Sequence, residues 1–294
     1  MTQVISAALV KELREMTGAG MMECKKALTE TGGDIEKAVD VLRTSGAAKA
    51  GKKAGRIAAE GVVSIIDNGK QAAMIEINSE TDFVARDDNF TKYVNAVTQT
   101  VLEKQKSDIA ELGQQIIHGD SITVEEARAN LVGKVGENIQ PRRAVISNPA
   151  SASVGSYLHG NRIGVIVELN VDNKPLANDL AMHIAASNPL VISPSDVSED
   201  LIAREKDIYM AQAAASGKPQ EIIEKMVVGR MKKYLDEVSL MGQPFVKDPD
   251  TSVGALLQKS NAKVIAFHRY EVGEGIEKIV EDFKEAVMSQ IQGG

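Results

Sequence analysis

Apolar residues recur at helical spacing through the first 46 positions and predict three short helices. Ser6 can cap the first helix, because its hydroxyl can accept a hydrogen bond from a free backbone amide. Gly18 and Gly20 separate the first helix from the second, and Asp34 can cap the third. The second helix is expected to bury one face, formed by Met21, Met22, Cys24, Ala27 and Leu28. These features predict a compact module over residues 1–46, with Cys24 as a small buried side chain.

A basic stretch follows the module and predicts a linker over residues 47–60. Around it, no acidic residue separates the basic side chains of Arg43, Lys49, Lys52, Lys53 and Arg56. The composition fits a helical or a semi-flexible linker. Gly46, Gly51 and Lys52 have the spacing of a phosphate-binding loop, but Lys53 stands where Ser or Thr is needed and a helix precedes the motif. The pattern therefore favours a solvated linker.

The next pattern is a β-hairpin that leads into a polar turn with one aromatic side chain. Apolar runs over residues 61–66 and 72–78 flank Asn68-Gly69, which is typical of a two-residue type I′ turn. The chain contains five Phe, five Tyr and no Trp, so Phe83 in this turn is conspicuous. Phe83 either covers the local core or is displayed to a partner. Helices are expected over 88–106, 108–117 and 123–131, before a strand at 144–146. The paired Arg142 and Arg143 could serve a partner or form a solvated strand edge.

The hairpin-plus-helix pattern then recurs. Strands are predicted over 155–159 and 164–170, with Gly160-Asn161 between them, and a helix over 175–187. The triplet Glu76-Ile-Asn78 reappears as Glu168-Leu-Asn170, which predicts one weak internal repeat. The second copy has no aromatic residue after its strand. This asymmetry favours display of Phe83 over a role as a core plug.

The last third of the chain predicts a helical hairpin, a strand and a terminal helix. Residues 196–236 carry two amphipathic stripes, divided at residues 217–219, and could pack within the hairpin or extend into a subunit contact. Loops are expected at 243–246 and 248–250, followed by a short helix capped by Thr251. A strand over 262–272 and an amphipathic helix over 276–291 complete an α+β chain.

Composition narrows the function classes. The net charge of −7 argues against general binding to nucleic acid. One cysteine allows no internal disulfide, and neither a leader pattern nor a long apolar run is present, which predicts a cytoplasmic protein without a membrane span. The four histidines form no H-x-x-x-H pair, and nucleophile and dinucleotide motifs are lacking. We therefore expect a binding protein, not an enzyme, with no cofactor and no metal site.

A set of motifs in a fixed order resembles the bacterial elongation factor Ts family over essentially the whole chain. The matching stretches are VKELR at 10–14, TGAGMM at 17–22, CKKAL at 24–28, ETDFV at 80–84, GENI at 136–139, GKP at 217–219, GRMKK at 229–233, GQPFV at 242–246 and VGEGIEK at 272–278. Arg86 stands where the family often has Lys, and residues 104–123 are less typical of the family.

The resemblance implies an architecture that agrees with the pattern analysis. It implies a three-helix module similar to a ubiquitin-associated (UBA) domain at 1–46, the basic linker at 47–60 and two related α+β subdomains with antiparallel sheets. The first subdomain is expected at 61–147 and the second at 148–195 and 237–272. The helical hairpin at 196–236 would be inserted in the second subdomain, and a C-terminal helical module would occupy 273–294.

The resemblance also implies a function and a set of contact residues. Members are exchange factors that bind elongation factor Tu in its GDP-bound and nucleotide-free states and promote GDP release. By this resemblance the exchange contacts are Thr81, Asp82, Phe83, Val84, Val135, Gly136 and His159, with Val135 in place of the common Ile. The N-terminal module would contact the partner through Val10, Leu13, Arg14, Thr17, Gly18 and Met21. An enzyme acting on nucleotide and a passive adaptor remain the rival hypotheses, and homodimerisation through 196–236 stays open.

Overall fold

The computed structural model describes residues 5–215 and 219–277. The predicted N-terminal module consists of α1 (Ala7–Thr17), α2 (Met21–Glu30) and the first part of α3 (Ile35–Lys53). Ser6 Oγ accepts a hydrogen bond from Leu9 N at 3.2 Å, and Asp34 Oδ1 accepts one from Lys37 N at 3.1 Å, so both predicted caps are confirmed. Cys24 is buried in the module core as predicted. Met21 and Met22, predicted to be buried with it, are exposed because they lie on the outer face of the first turn of α2.

Helix α3 continues well beyond the module. It runs as one helix into the predicted linker and ends at Lys53, so the helical alternative applies to residues 47–53. Gly46 and Ala50 are buried where α3 packs on a core helix, α7 (Val124–Val135). A Cβ atom on Gly46 would lie only 3.3 Å from the Ala129 carbonyl oxygen, which explains the small residue there. Module and core are thus joined by a packed helix.

The first half of the core is a three-stranded antiparallel sheet covered by helices on one face. Its strands are β1 (Glu60–Asp67), β2 (Ala72–Ser79) and β3 (Gln140–Ile146), with β2 in the centre. Between β2 and β3 the chain forms α4 (Asp82–Ala85), α5 (Asp88–Lys104), α6 (Ile109–Gly113) and α7. Ile75 and Ile77 pack with Phe90 and Val97 of α5 in the core of this half. The third strand begins four residues earlier than predicted, and α7 ends four residues later.

The second half repeats this arrangement, as the internal repeat predicted. Strands β4 (Ser153–His159) and β5 (Ile163–Leu169) form a hairpin, α8 (Lys174–Ser187) follows, and β8 (Val264–Glu271) completes a sheet in the order β4-β5-β8. Alternate residues of β5 face α8, while Ile166 faces the first sheet and meets Val63 and Met74 there. The core therefore has helices on both outer sides and two sheets packed face to face between them.

The helical hairpin is inserted before β8. Helices α9 (Glu199–Ala214) and α10 (Gln220–Val238) pack through Ala213, Ile223 and Val227, which confirms the predicted hairpin over the described residues. The loops predicted next contain a short ladder of β6 (Pro244–Phe245) with β7 (Asp248–Ser252), followed by α11 (Val253–Lys259). Ser252 caps α11, not Thr251 as predicted, because the hydroxyl of Thr251 donates to Asp248 at 2.7 Å instead.

The first hairpin turn is not the type I′ turn that the Asn68-Gly69 pair predicted, whereas the second hairpin has one. The turn after β1 spans residues 68–71, and of its Asn68-Gly69 pair only Gly69 has a positive φ, so it is not type I′. Asn68 Oδ1 accepts hydrogen bonds from Lys70 N and Gln71 N, which favours the longer loop. Gly160 and Asn161, in the second hairpin, have φ values of 56° and 59°, the two positive angles that a type I′ turn requires.

The C-terminal helix predicted over 276–291 lies almost entirely outside the described residues. Gly273 and Gly275 end β8 as predicted, each with a φ of 75°. Within residues 5–215 and 219–277, no helix combines the length and the apolar character needed to cross a membrane.

Candidate functional site

The turn after β2 displays Phe83 to solvent. Thr81 caps the one-turn helix α4, and Phe83 on that helix is 80% exposed. Successive helical residues point about 100° apart, and the neighbouring Val84 and Ala85 pack on the core of the first half. The structure therefore decides between the two alternatives for Phe83: it is a displayed side chain, not a core plug.

The Phe83 turn (residues 79–86) is fixed by hydrogen bonds to the segment that follows α7. Glu137 accepts from Thr81 N at 3.0 Å and from Thr81 Oγ1 at 2.7 Å. Glu80 Oε1 accepts from Asn138 N at 2.7 Å, and Ser79 Oγ donates to the Thr81 carbonyl at 2.8 Å. Since bonds to carboxylates are stronger than neutral ones, the backbone under Phe83 is held in place without any partner.

Asp82 lies beside Phe83 but takes no part in holding the turn to the core. Its carboxylate forms an ion pair with Arg86 at 3.0 Å, one helical turn along the chain. Both side chains are largely exposed, so this pair contributes little to stability. The carboxylate is accessible to a partner.

Val135 and Gly136 form the end of α7, next to the Phe83 turn. Gly136 adopts a φ of 80° and closes the helix by donating to the Val132 carbonyl at 3.0 Å. Its own carbonyl accepts a hydrogen bond from Lys53, the last residue of α3. Val135 is half-buried against the core of the first half.

A surface groove brings together part of each predicted contact set: Arg14 and Gly18 of the module, and Phe83, Val84 and Val135 of the exchange contacts. Residues of the core and of the N-terminal module face each other across it; its lining comprises Arg14, Gly18, Ala19, Gly20, Phe83, Val84, Asp87, Asn89, Lys134 and Val135. Lys134 donates to Asn89 Oδ1 at 2.6 Å, and a Cβ on Gly18 would lie 2.6 Å from the Lys134 amine. The lysine side chain could move aside, but Gly18 has a φ of 67°, a left-handed conformation that favours glycine at this approach of module and core. We call this surface the module–core groove.

The predicted module contacts divide into exposed and buried residues. Arg14 and Met21 are exposed, and Thr17 and Gly18 are half-buried. Val10 and Leu13 lie in the module core, 5% and 0% exposed, so their side chains do not reach the surface and can only support their neighbours. Sequence patterns missed the exposed methionines beside them, Met16 and Met22 at 63% and 77% exposure. Met16 is the last of the apolar residues that recur at helical spacing along α1, and this spacing alone does not show that Met16 lies outside the module core.

His159 lies in the β4–β5 turn, apart from the module–core groove. Its ring is exposed, and Nδ1 is 3.4 Å from the hydroxyl of Tyr157. The turn is attached to the first sheet, because Asn161 O accepts from Val63 N at 2.8 Å and Arg162 donates to Glu60 at 2.8 Å. Glu60 pairs with Ser79 at the end of β2. The His159 turn therefore lies toward the same end of the first sheet as the Phe83 turn.

The charged side chains of the module–core groove are held by hydrogen bonds. Asp87 caps α5, and although its partial burial opposes ionisation, hydrogen bonds from Asn89 and the Phe90 backbone lower its pKa below the ordinary value. Lys134 adds a positive charge nearby. Among the described residues, no group of three or more His, Cys, Asp or Glu side chains could hold a metal ion. The exposed features are one aromatic ring, methionines and a few charges, which suit contact with a protein.

Comparison with known proteins agrees with the motifs over the whole chain. Residues 80–274 match the family described as "Elongation factor TS". Elongation factor Ts of Thioalkalivibrio sulfidiphilus is 58% identical over 292 residues, covering 98% of this chain and 99% of the relative. The proteins of the same name from Legionella pneumophila (strain Paris) and Hahella chejuensis are each 54% identical, with the same coverage. The chain belongs to the elongation factor Ts family.

Proposed function

We propose that this protein is a guanine nucleotide exchange factor for elongation factor Tu and works in the cytoplasm. It binds the GDP-bound form, promotes release of GDP and holds the nucleotide-free form. Exchange needs binding alone, with no covalent step and no cofactor. One observation carries the proposal: Phe83 is displayed on a turn that is already fixed, at the edge of a groove shared with the N-terminal module. The family membership supports the choice of partner.

In this proposal Phe83 enters between helices of the partner's nucleotide-binding domain and shifts the groups that hold magnesium and phosphate. Binding free energies are reciprocal, so the factor weakens nucleotide binding by the same ratio by which nucleotide weakens binding of the factor. Because the turn is pre-formed, little ordering free energy is lost on binding. Asp82, accessible beside Phe83, contacts the partner directly, and its pair with Arg86 is exchanged for that contact.

The binding free energy needed to displace nucleotide is larger than burial of Phe83 alone can supply. Changing a two-state population ratio ten-thousandfold takes about 5.5 kcal/mol of differential binding. Burying one Phe side chain contributes only about 1.5–3 kcal/mol. The remainder must come from a wide interface. We assign to it Thr81, Val84, Val135 and Gly136 beside Phe83, His159 on the second half, and the module surface around Arg14, Thr17, Gly18 and Met21. Val10 and Leu13 contribute by shaping that surface.

The decisive experiment measures release of labelled GDP from elongation factor Tu by stopped flow, with and without this protein. Wild-type protein should accelerate release. Phe83→Ala should lower the maximal rate about tenfold or more, as expected from losing about 1.4 kcal/mol or more of differential binding, while binding persists. Leu190→Ala is the matched control, because Leu190 is also an exposed apolar residue, 58% exposed, but lies in the segment that follows α8. Equal rates for Phe83→Ala and wild type would contradict the role of Phe83.

The GDP-release assay, together with calorimetry on this chain alone, separates the rival hypotheses. An enzyme acting on nucleotide would bind GDP without elongation factor Tu, which calorimetry on this chain alone detects. A passive adaptor would bind elongation factor Tu without changing the rate of GDP release. The UBA likeness of the N-terminal module stays a prediction.

Self-association through the helical hairpin is a second proposal with its own observation. Ile208 and Ile222 are 39% and 46% exposed on α9 and α10, and Val228 is more exposed still. A second copy of the hairpin could cover these side chains. Light scattering of the protein alone and with elongation factor Tu tests this, and a monomer at all concentrations contradicts it.

A further inference from the structure

Two buried polar side chains in the first half of the core connect segments that are far apart in sequence. Glu76 of β2 is 0% exposed and accepts hydrogen bonds from Arg143 Nε at 2.6 Å and from Arg142 Nη1 at 3.1 Å. The sequence left open whether these arginines serve a partner or form a solvated edge; the structure shows that they bind a buried carboxylate. Asn138, 1% exposed, is the second buried residue, and it contacts the Phe83 turn.

Asn138 bonds to the Phe83 turn on one side and to the chain just after α3 on the other. Its backbone N donates to Glu80 Oε1 at 2.7 Å. Its Nδ2 donates to the Arg56 carbonyl at 2.8 Å and lies 3.4 Å from the Ala54 carbonyl oxygen, just beyond the end of α3 at Lys53. Arg56 also pairs with Glu80 at 3.5 Å, but its side chain is 55% exposed, so this pair contributes little. Asn138 therefore joins three segments through buried hydrogen bonds.

The residues beside Asn138 extend this connection. The Gly136 carbonyl accepts a hydrogen bond from Lys53, the last residue of α3. Glu137 accepts the two hydrogen bonds that hold the backbone of the Phe83 turn. We call residues 136–138 the joint. Because the joint bonds to both α3 and the turn, whatever fixes the joint to α3 also fixes the turn.

The internal repeat supplies a comparison. In the second half of the core, Lys263 N, just before β8, donates to Asn170 Oδ1 at 2.6 Å, and the Lys263 carbonyl accepts from Asn170 N at 3.2 Å. These bonds link two segments only, the end of β5 and the start of β8, and Asn170 is exposed. A sheet of this kind is thus completed without a buried asparagine that joins three segments. Such a residue belongs to the half that displays Phe83.

We propose that Asn138 is a positioning residue for nucleotide exchange: it fixes the joint to the chain just after α3, and the joint fixes the Phe83 turn. This proposal rests on the proposed exchange function. Without the Asn138 amide, the Arg56 carbonyl loses its donor, and the joint is free to move relative to α3. The ring of Phe83 then has no single defined place, so ordering it on binding costs part of the free energy that it contributes to the exchange.

The first test measures the maximal rate of GDP release from elongation factor Tu at saturating concentrations of full-length variants. Asn138→Ala should lower this rate about fivefold, which corresponds to about 1 kcal/mol, the net contribution of one hydrogen bond. Asn170→Ala is the matched control from the second half and should keep the wild-type maximal rate. A variant that merely folds less well would show a higher half-saturating concentration with an unchanged maximal rate, so saturation separates positioning from instability.

A double variant shows whether Asn138 acts through Phe83. If it does, adding Asn138→Ala to Phe83→Ala should lower the maximal rate no further than Phe83→Ala does alone. Effects that multiply would mean that Asn138 acts elsewhere and would overturn the proposal. An equal loss of maximal rate in Asn170→Ala would overturn it as well.

Hydrogen exchange of the free proteins tests the joint without a partner. Amides of residues 79–86 should exchange faster in Asn138→Ala than in wild type, and at the wild-type rate in Asn170→Ala. Unchanged exchange in Asn138→Ala contradicts the connection. If wild type fails to accelerate GDP release, the proposed function fails, while hydrogen exchange still tests the joint.

Lys53→Met is a second, milder variant for the case that Asn138→Ala does not fold. It removes the donor to the Gly136 carbonyl, a hydrogen bond that lies at the surface. It should lower the maximal rate about twofold, as expected for a weak hydrogen bond, and speed exchange of the same amides. Wild-type values for both measurements in Lys53→Met would then overturn the proposal.

Discussion

The two halves of the core share one framework and differ in the connection that follows the central strand. In both halves a hairpin leads to the sequence Glu-x-Asn and then to a helix that covers the sheet. After β5 the chain reaches α8 within a few residues, capped by Asn173. After β2 it first forms the extra turn α4, which displays Phe83. The comparison teaches that the proposed exchange surface is an addition to a connection, made without altering the sheet beneath it.

The largest difference predicted between the halves is in their response to acid. Burial lowers the pKa of His183 in α8, whose Nδ1 accepts from Val246 N while Nε2 donates to Gln243. The unfolded state then takes up a proton first, so stability falls as pH drops below the ordinary value of 6.5. Burial by itself would raise the pKa of Glu76, but hydrogen bonds from Gly273 and Asn78 and the positive charge of Arg143 outweigh it, so the pKa is lowered. The stability that the ionised Glu76 contributes is therefore lost only as the pH falls below its ordinary pKa of 4.5.

Urea unfolding from pH 7.5 to 3.5 checks both signs. Glu76→Gln should cost about 1.5–3 kcal/mol at neutral pH, the range for hydrogen bonds to a charged group, and the difference from wild type should shrink only below pH 4.5.

His183→Gln keeps an amide donor and acceptor but does not titrate. Its unfolding free energy relative to wild type should improve as pH falls below 6.5. Parallel pH profiles for wild type and either variant would contradict the assignment.

The contact between the two sheets gives the next prediction. A Cβ on Gly164 of β5 would overlap Val63 and lie 2.8 Å from the sulfur of Met74, so the halves approach closely only because this residue is glycine. Gly164→Ala should therefore lower the free energy of unfolding by about 1–3 kcal/mol. Gly229→Ala on α10 is the control, with nothing within 4 Å of the added atom, and should be neutral or stabilising. A Gly164→Ala variant as stable as wild type would mean that the sheets can separate without cost.

The smallest predicted effect concerns the residues that cap α4 and α8. It distinguishes a loss of stability alone from a loss of stability together with nucleotide exchange. Asn173 accepts from Leu176 N at 3.2 Å, and Thr81 accepts from Val84 N at 3.4 Å, so alanine at either position should cost about 1 kcal/mol of stability. Only Thr81→Ala should also slow GDP release, because Thr81 holds the turn under Phe83 through Glu137. Stopped-flow rates and urea unfolding on the same samples decide this. Equal exchange rates in the two variants would show that the turn needs no fixing.

Much of the fold follows from local patterns that the chain satisfies in three dimensions. The capped helices of the module, both hairpins and the repeat all rest on short-range signals, and the structure confirms them. The predicted type of the first hairpin turn was wrong because the side chain of Asn68 bonds to the backbone and favours a longer loop, a competition that the Asn-Gly pair does not reveal. The β6–β7 ladder was missed because Pro and Asp residues are poor strand formers. These strands form because they pack against α8 and α11, and their own sequence does not show that contact.

The candidate site was predictable in part. Display of Phe83 followed from its polar surroundings and from the repeat. Burial of Val10 and Leu13 did not follow from the motif, since a motif contains residues that shape a surface as well as residues that touch a partner. The hydrogen bond from the Gly273 amide to Glu76 could not be found from sequence, because the two residues lie 197 positions apart and nothing local marks them as partners.

Helix α3 joins the N-terminal module to the core without an intervening flexible tether. Its residues 35–53 form one helix, roughly 28 Å long at 1.5 Å per residue. With a flexible tether, binding by one surface would leave the other to search, at an effective concentration set by tether length. A continuous helix removes that search, so module and core would meet the proposed partner as one rigid unit with two contact surfaces. The helical part of the basic stretch, residues 47–53, would therefore fix the distance between the two proposed binding surfaces.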